Sequence, residues 1–411
     1  MATAAVKRSA SSGLILLLGA AVFLNYVDRG AIGIAAPLMK AELGLSATEF
    51  GIAVSAFFWV YAPIQLVIGR LCDRLSVYWV FGAGVALWAV STTLMNLVGG
   101  LVSLIVLRVM LGLGESVAFP GSSKLIAAHV EPGQRGMANA VIGAGLSLGP
   151  AMGTLAGGLI TATFGWRAMF LVFGLATLLW LAPWAALVRT IPHHERADRI
   201  ASVPASRIAR QWSLWAMGIA HFTNVYGFYF LLTWLPLFLV QSRGYSLQEM
   251  SFLATSAFLA QAVAVLIVGW GTDRWTRSGR SEAACRRWTI AGGQVVTAIC
   301  IFGILLSQST SALLFWLVLG GASYGTSTPC LYGIAQMFAG KSASGTWVGV
   351  QNALGNTAGF VMPIVTGLMI DATGSYAGGF YLAAAIVGIG ALWWAFVLPQ
   401  IRQVDFDAGK G

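Results

Sequence analysis

Charge is what this chain has least of. Only 9% of its 411 residues are Asp, Glu, Lys or Arg, against the roughly 25% typical of soluble domains. That scarcity excludes a water-soluble globular fold, and a hydrophobic content of 58% points to lipid as the solvent. Cysteine is scarce too. Cys72, Cys285, Cys300 and Cys330 show no C-x-x-C spacing and no histidine-rich neighbourhood, which argues against a disulfide framework or a zinc site and leaves them as reduced packing residues. Of the four histidines, His129, His193 and His194 fall in or beside expected loops, and none of the four, His221 included, has a nucleophile or metal-ligand partner at motif spacing. The chain is therefore not expected to be an enzyme, nor to hold a metal or an organic cofactor. Acidic residues are the rarer sign, 14 against 24 basic. In a membrane chain that excess asks which side the basic residues occupy; it does not imply nucleic acid.

What is present is a succession of apolar runs, each near the ~20 residues that cross a bilayer as a helix. Twelve are read, over 13–36, 47–69, 77–97, 100–128, 137–161, 167–188, 212–239, 248–270, 288–306, 311–335, 345–369 and 376–398. If the N-terminus is cytoplasmic, every basic residue outside the runs falls on the cytoplasmic side except Lys40, Arg167 and Arg243. That bias places both termini in the cytoplasm and accounts for the basic balance without nucleic acid. The first run follows basic residues, as a secretory signal does, but it is too long and lacks a small-residue cleavage site, so it is read as a mature helix.

The runs repeat. Gly69-Arg70-Leu71-Cys72-Asp73-Arg74 follows the second run, and Gly269-Trp270-Gly271-Thr272-Asp273-Arg274 follows the eighth. Gly158-Leu159 and Gly165 are echoed by Gly367-Leu368 and Gly374. Two six-helix halves are expected, 1–188 and 212–400, joined by a basic linker over 189–211 and followed by a tail over 401–411. Internal repeats around a site near the midplane are a common construction among secondary transporters.

Away from the ends of the runs, the charged residues are Asp28, Arg29, Arg108, Glu115 and Lys124, all in the first half. Charge inside a spanning helix marks a substrate or ion pathway by default, the alternative being a buried pair that only pins helices together. At ~1.5 Å per residue Asp28 lies ~23 Å into its run. Arg108 and Glu115 are two turns apart on one helical face, ~10 Å, too far for direct contact. Two buried guanidiniums suit a carboxylate cargo, since each offers a bidentate, charge-assisted fork. Asp28 and Glu115 then have a separate role. Each can neutralise an arginine while the cargo is absent and release it on protonation, which couples transport to protons. Lys124, near the cytoplasmic end of its run, is expected to snorkel.

Polar and aromatic pairs one turn apart supply further candidate cargo contacts. They are Tyr61 with Gln65, Tyr226 with Tyr229, and Asn352 with Asn356, and any of them could instead join helices through a hydrogen bond. Clustered glycines and a proline, Gly143, Gly145, Gly149 and Pro150, suit close helix packing.

The first repeat resembles the G-x-L-x-D-R signature of the major facilitator superfamily, with Ser76, Val77 and Tyr78 departing from its usual continuation. Four stretches, "NYVDRGAIGIAAP" (25–37), "SAFFWVYAPIQL" (55–66), "LGLGESVAFPGSSK" (111–124) and "YGFYFLLTWLP" (226–236), resemble its anion:cation symporter family. The resemblance implies an all-α membrane fold of twelve transmembrane helices in two halves. It implies a cytoplasmic gate motif at Gly69, Asp73, Arg74, Gly269, Asp273 and Arg274, and a cavity lined by the stretches holding Tyr61 and Asn356. Leu146 stands where sugar-acid carriers of that family often have Gln, which favours a more apolar carboxylate. The expectation is a monomeric carrier in the inner (plasma) membrane that imports a small organic carboxylate with protons by alternating access. A drug or metabolite proton antiporter of the same fold, exporting its cargo, is the rival, and the buried arginines argue against cationic cargo.

Overall fold

The computed structural model describes residues 2–130, 135–190 and 203–406. Most of the 189–211 linker and the last residues of the tail lie outside that range. Among the described residues the chain is helical: α1 Ala2–Leu43, α2 Ala47–Arg74, α3 Val77–Leu94, α4 Leu101–Glu115, α5 Ala118–His129, α6 Arg135–Val188, α7 Ala205–Ala209, α8 Trp212–Leu237, α9 Leu247–Arg277, α10 Glu282–Leu306, α11 Thr310–Tyr324, α12 Ser327–Thr373 and α13 Ala377–Leu392.

Ten stretches are long and apolar enough to cross a bilayer. One of them, Ala138–Val188, runs for 51 residues; non-helical backbone at Gly165 (φ 84°, ψ 164°) divides it into the fifth and sixth runs. The tenth run escapes the count because it is interrupted, α11 ending at Tyr324 and the first part of α12 carrying it on from Ser327. Gly340 (φ 62°) then divides α12 between the tenth and eleventh runs. With these divisions the described residues hold twelve helical stretches that match the twelve apolar runs of an all-α membrane protein.

Two of those runs are not the continuous helices expected. The fourth breaks between α4 and α5 at Ser116-Val117, and the tenth between α11 and α12 at Gly325-Thr326. A proline stands in the first turn of each second piece, Pro120 and Pro329, where a missing N–H is harmless. The carbonyls those prolines cannot serve, four residues back, are those of Ser116 and Gly325.

The backbone repeats where the sequence does. Gly44 and Gly244 both take positive φ (64° and 71°), a conformation that favours glycine. Two residues after each, a serine caps the next helix reciprocally with a glutamate. Ser46 Oγ accepts from the Glu49 N–H at 3.1 Å and Ser246 Oγ from that of Glu249 at 3.2 Å, while each glutamate takes the serine N–H at 2.9 Å. This capping box fixes where the second and eighth crossings start.

Two compact units divide the chain, Met1–Asp198 with Thr233–Thr255, and Arg199–Leu232 with Ser256–Gly411. In the first, α6 packs along α1 through Gly145, Gly149 and Gly153. A Cβ on these would stand 2.7 Å from Gly19 O, Phe23 O and Val27 O respectively, so only glycine lets the two backbones come this close. In the second, Leu214, Met217 and Ala220 of α8 pack with Ile290 of α10 and with Ile334, Phe338 and Trp347 of α12. The chain beyond α13 returns to this core, where the Val404 N–H donates to Phe338 O at 2.9 Å and Phe406 meets the Trp347 ring edge-on.

Candidate functional site: a buried charge cluster

In the first unit α1 presents Asp28 and Arg29 in succession, and successive residues on a helix point ~100° apart. They reach different neighbours. Arg29 Nε donates to Glu115 Oε2 on α4 at 2.9 Å, an ion pair almost entirely out of solvent contact. Asp28 Oδ2 accepts from Trp88 Nε1 at 2.9 Å and from Thr92 Oγ1 at 3.1 Å, both on α3 and one turn apart. Glu115 thus pairs with Arg29 of another helix, 86 positions away. Asn25, one turn before Arg29 and fully buried, lies beside the same Glu115 carboxylate.

Aromatic rings wall the arginines. Arg29 Cζ is 4.5 Å from the Tyr61 ring centre, 4.9 Å from Tyr26 and 5.1 Å from Phe57. Arg108 Cζ approaches the same Phe57 at 5.0 Å and its NH2 donates to Val54 O at 3.3 Å. Two guanidiniums therefore meet on one phenylalanine, where cation–π attraction offsets part of the loss of water. Gly112 and Gly114 make the approach possible. A Cβ on Gly112 would fall 2.3 Å from Phe57 O of α2, and one on Gly114 2.5 Å from Trp88 N of α3. Two bare positions on α4 thereby bring Arg108, Glu115, Phe57 and Trp88 into one cluster.

The second unit holds an uncharged counterpart. The offset of 200 that relates Ser46 to Ser246 carries Arg29 onto Tyr229, and the offset of 209 that relates Pro120 to Pro329 carries Glu115 onto Tyr324 and Arg108 onto Leu317. Tyr229 OH donates to Asn356 Oδ1 at 3.0 Å, and Asn356 Nδ2 donates to Asn352 O at 2.8 Å. Tyr324 OH donates to Asn224 Oδ1 at 2.9 Å, and Asn224 Nδ2 to Ser327 Oγ at 2.7 Å. Tyr226, buried, lies beside Thr366. The repeat keeps the architecture and exchanges ion pairs for neutral hydrogen bonds.

Of the residues expected from sequence, Asp28, Arg29, Tyr61, Arg108 and Glu115 fall in the first cluster, and Tyr229, Asn352 and Asn356 in the second. Gln65 is buried on α2 one turn from Tyr61. Lys124 donates to Cys72 O, a structural contact. Gly69, Asp73 and Arg74 belong to α2, but their side chains lie outside the described residues. In the second motif Asp273 meets Arg286 of α10 at 3.4 Å. Arg274 lies over Trp270 of its own helix, 5.8 Å from the ring centre. Trp88, Thr92, Asn25, Phe57, Asn224 and Tyr324 were not singled out from the sequence. The i, i+4 spacing of Trp88 with Thr92 and of Asn25 with Arg29 was the available signal, and for Tyr324 it was the repeat offset.

With that geometry in place, comparison with known proteins identifies the lineage. The sequence profile of the Major Facilitator Superfamily matches residues 18–285 and 217–409. The chain belongs to this superfamily. It is 30% identical over 416 residues to a probable sulfoacetate transporter, SauU, of Cupriavidus necator, covering 95% of this chain and 94% of that one. The hexuronate transporter of Bacillus subtilis is 27% identical, with 92% of each chain covered. A probable L-galactonate transporter of Escherichia coli is 25% identical, covering 96% of this chain and 90% of that one. Among solved structures, an inward-facing bacterial homolog of the human lysosomal transporter Spinster superposes with TM-score 0.80 at 16% identity, over 95% of this chain and 98% of that one. That likeness carries the fold alone. The protein is a membrane transporter, not an enzyme.

Proposed function

We propose that this transporter imports a small organic anion together with protons, by alternating access. The observation that carries the reading is the convergence of Arg29 and Arg108 on the Phe57 ring at 5.1 and 5.0 Å. Two cations that share one ring out of water repel unless anions lie between or beside them. Glu115 and Asp28 serve while the cargo is absent. A carboxylate or sulfonate that takes their place gains charge-assisted hydrogen bonds from planar forks.

The relatives named for sulfoacetate, hexuronate and galactonate support an organic acid as the cargo class. Sulfoacetate bears two acid groups and no hydroxyl, which suits two arginines and the apolar Leu146. In this reading Tyr61, Gln65, Tyr226, Tyr229, Asn352 and Asn356 contact the cargo, and the proton is the coupling ion, carried by Asp28 or Glu115. The carrier works as a monomer in the inner (plasma) membrane, with both termini cytoplasmic as the basic-residue bias requires.

Purified protein in liposomes, given labelled sulfoacetate, hexuronate, an aromatic acid and a lipophilic cation in turn, tests the reading. Uptake of at least one acid, stimulated by an inward proton gradient, is expected. Transport of the cation alone would replace the reading with a cation antiporter.

A further inference from the structure

One surface of the second unit has no part in cargo recognition. On α9, Leu259, Val263, Leu266 and Trp270 follow one another at spacings of three or four residues and are 49%, 57%, 74% and 63% exposed. Such spacing lays them along a single face, an apolar stripe turned outward to lipid. The same stripe continues without a break into Arg274 and Arg277, both exposed. There Trp270, Arg274, Arg277 and Ser278 line a cavity of about 320 Å³. Arg274 sits over the Trp270 ring at 5.8 Å, and Arg280, just past the helix end, sits over Trp275 at 4.5 Å.

The nearby acids are already engaged. Asp273 and Glu282 both face Arg286, at 3.4 and 2.7 Å. Arg277 Nε donates to the Asp273 carbonyl at 3.3 Å, which leaves its charge unmatched. Among the described residues none of Arg274, Arg277 and Arg280 forms an ion pair.

We infer that this cavity is a binding site for the headgroup of an anionic phospholipid, in the leaflet at the C-terminal end of α9. The acyl chain lies along Leu259, Val263 and Leu266. Trp270 marks the interface, where an amphipathic ring is most at ease. The lipid phosphate enters between Arg274 and Arg277, ~6 Å or more further along the helix axis, with Ser278 as a further hydrogen-bond partner. Each arginine near an anionic headgroup adds attraction that a zwitterionic one does not return. A free anion would satisfy the arginines but not the exposed stripe above them, which favours the lipid.

Native mass spectrometry of the full-length protein, titrated with phosphatidylglycerol or phosphatidylcholine of the same acyl chains, tests this without any variant. Several-fold tighter retention of phosphatidylglycerol is expected, and equal retention overturns the site. The double variant Arg274→Gln/Arg277→Gln should bring phosphatidylglycerol down to the phosphatidylcholine level. A control, Arg189→Gln/Arg210→Gln, removes the same charge from two other exposed arginines and should keep the preference. An equal loss in both doubles would assign the effect to diffuse surface charge and overturn a local site. Complete displacement of the lipid by equimolar glycerol 3-phosphate would make the ligand a soluble phosphate and overturn the lipid.

Discussion

A charged side chain inside a spanning helix is conspicuous because so little else there is charged, and this made Asp28, Arg29, Arg108 and Glu115 readable from the sequence alone. Their partners were not readable. Arg29 and Glu115 are 86 positions apart and meet only because α1 and α4 share a neighbourhood. The donors to Asp28 come from a third helix whose tryptophan and threonine look like ordinary membrane residues. The geometry sharpens the test of recognition. Arg29→Lys and Arg108→Lys keep the charge but lose the planar fork and much of the contact with Phe57, so cargo binding measured by ligand-induced thermal stabilisation should weaken by about tenfold or more in each. Wild-type affinity in both would reduce the two arginines to structural pairs. Trp88→Phe removes one hydrogen bond to a buried carboxylate and keeps the ring. A loss of about 1.5–3 kcal/mol of stability is expected, the usual size for a bond to a charged group. An unchanged melting temperature would show that Asp28 is held elsewhere.

At the scale of elements, the apolar runs were legible from length and composition, while the capping boxes at Ser46 and Ser246 that fix two of their starts emerged only in the structure. The breaks at Ser116 and Gly325 were not legible either, because a proline inside a membrane helix is often tolerated. Elsewhere this chain keeps Pro37, Pro63, Pro150, Pro183, Pro236 and Pro363 within helices. Close helix approach was anticipated at Gly143, Gly145 and Gly149 and is found at the last two only, whereas the two glycines that set the site, Gly112 and Gly114, read from sequence only as part of a family-like stretch. Gly114→Ala places a methyl 2.5 Å from the Trp88 backbone nitrogen and 2.7 Å from Gly84 O. Backbone cannot yield as a flexible side chain does, so α4 must withdraw from α3. A destabilisation of about 1–3 kcal/mol is expected from overpacking, together with weaker cargo binding, since Glu115 moves with the helix. Gly143→Ala is the control, because nothing lies within 4 Å of its would-be Cβ. If both variants melt alike, the α3–α4 contact does not govern the cluster.

At the scale of the molecule, the repeat places a charged cluster in one unit and neutral hydrogen bonds in its counterpart in the other, and the spacing of the basic residues between the apolar runs predicts that they share one side of the membrane. A reporter fused after Arg210 or at the C-terminus should therefore report cytoplasm, and one inserted at Lys40 or Arg243 the outside. An external signal after Arg210 would overturn the topology. Coupling is the property that depends on the whole chain, and the Arg29–Glu115 pair says how to separate it from binding. In the proposed mechanism, protonation of Glu115 would release Arg29 to an incoming carboxylate, and deprotonation would reclaim it once the cargo had left. Glu115→Gln removes the charge and the titration while its amide oxygen can still accept from Arg29 Nε, so α1 and α4 keep their contact. Accumulation driven by a pH difference alone should collapse in proteoliposomes carrying Glu115→Gln. Exchange of labelled for unlabelled cargo, which needs no net proton movement, should persist. Asp28→Asn should impair both, because its carboxylate also holds Trp88 and Thr92 in place. If Glu115→Gln still concentrates cargo under an imposed pH gradient, the proton travels on Asp28 or on the cargo itself, and the Arg29–Glu115 bond is a fixed strut between α1 and α4.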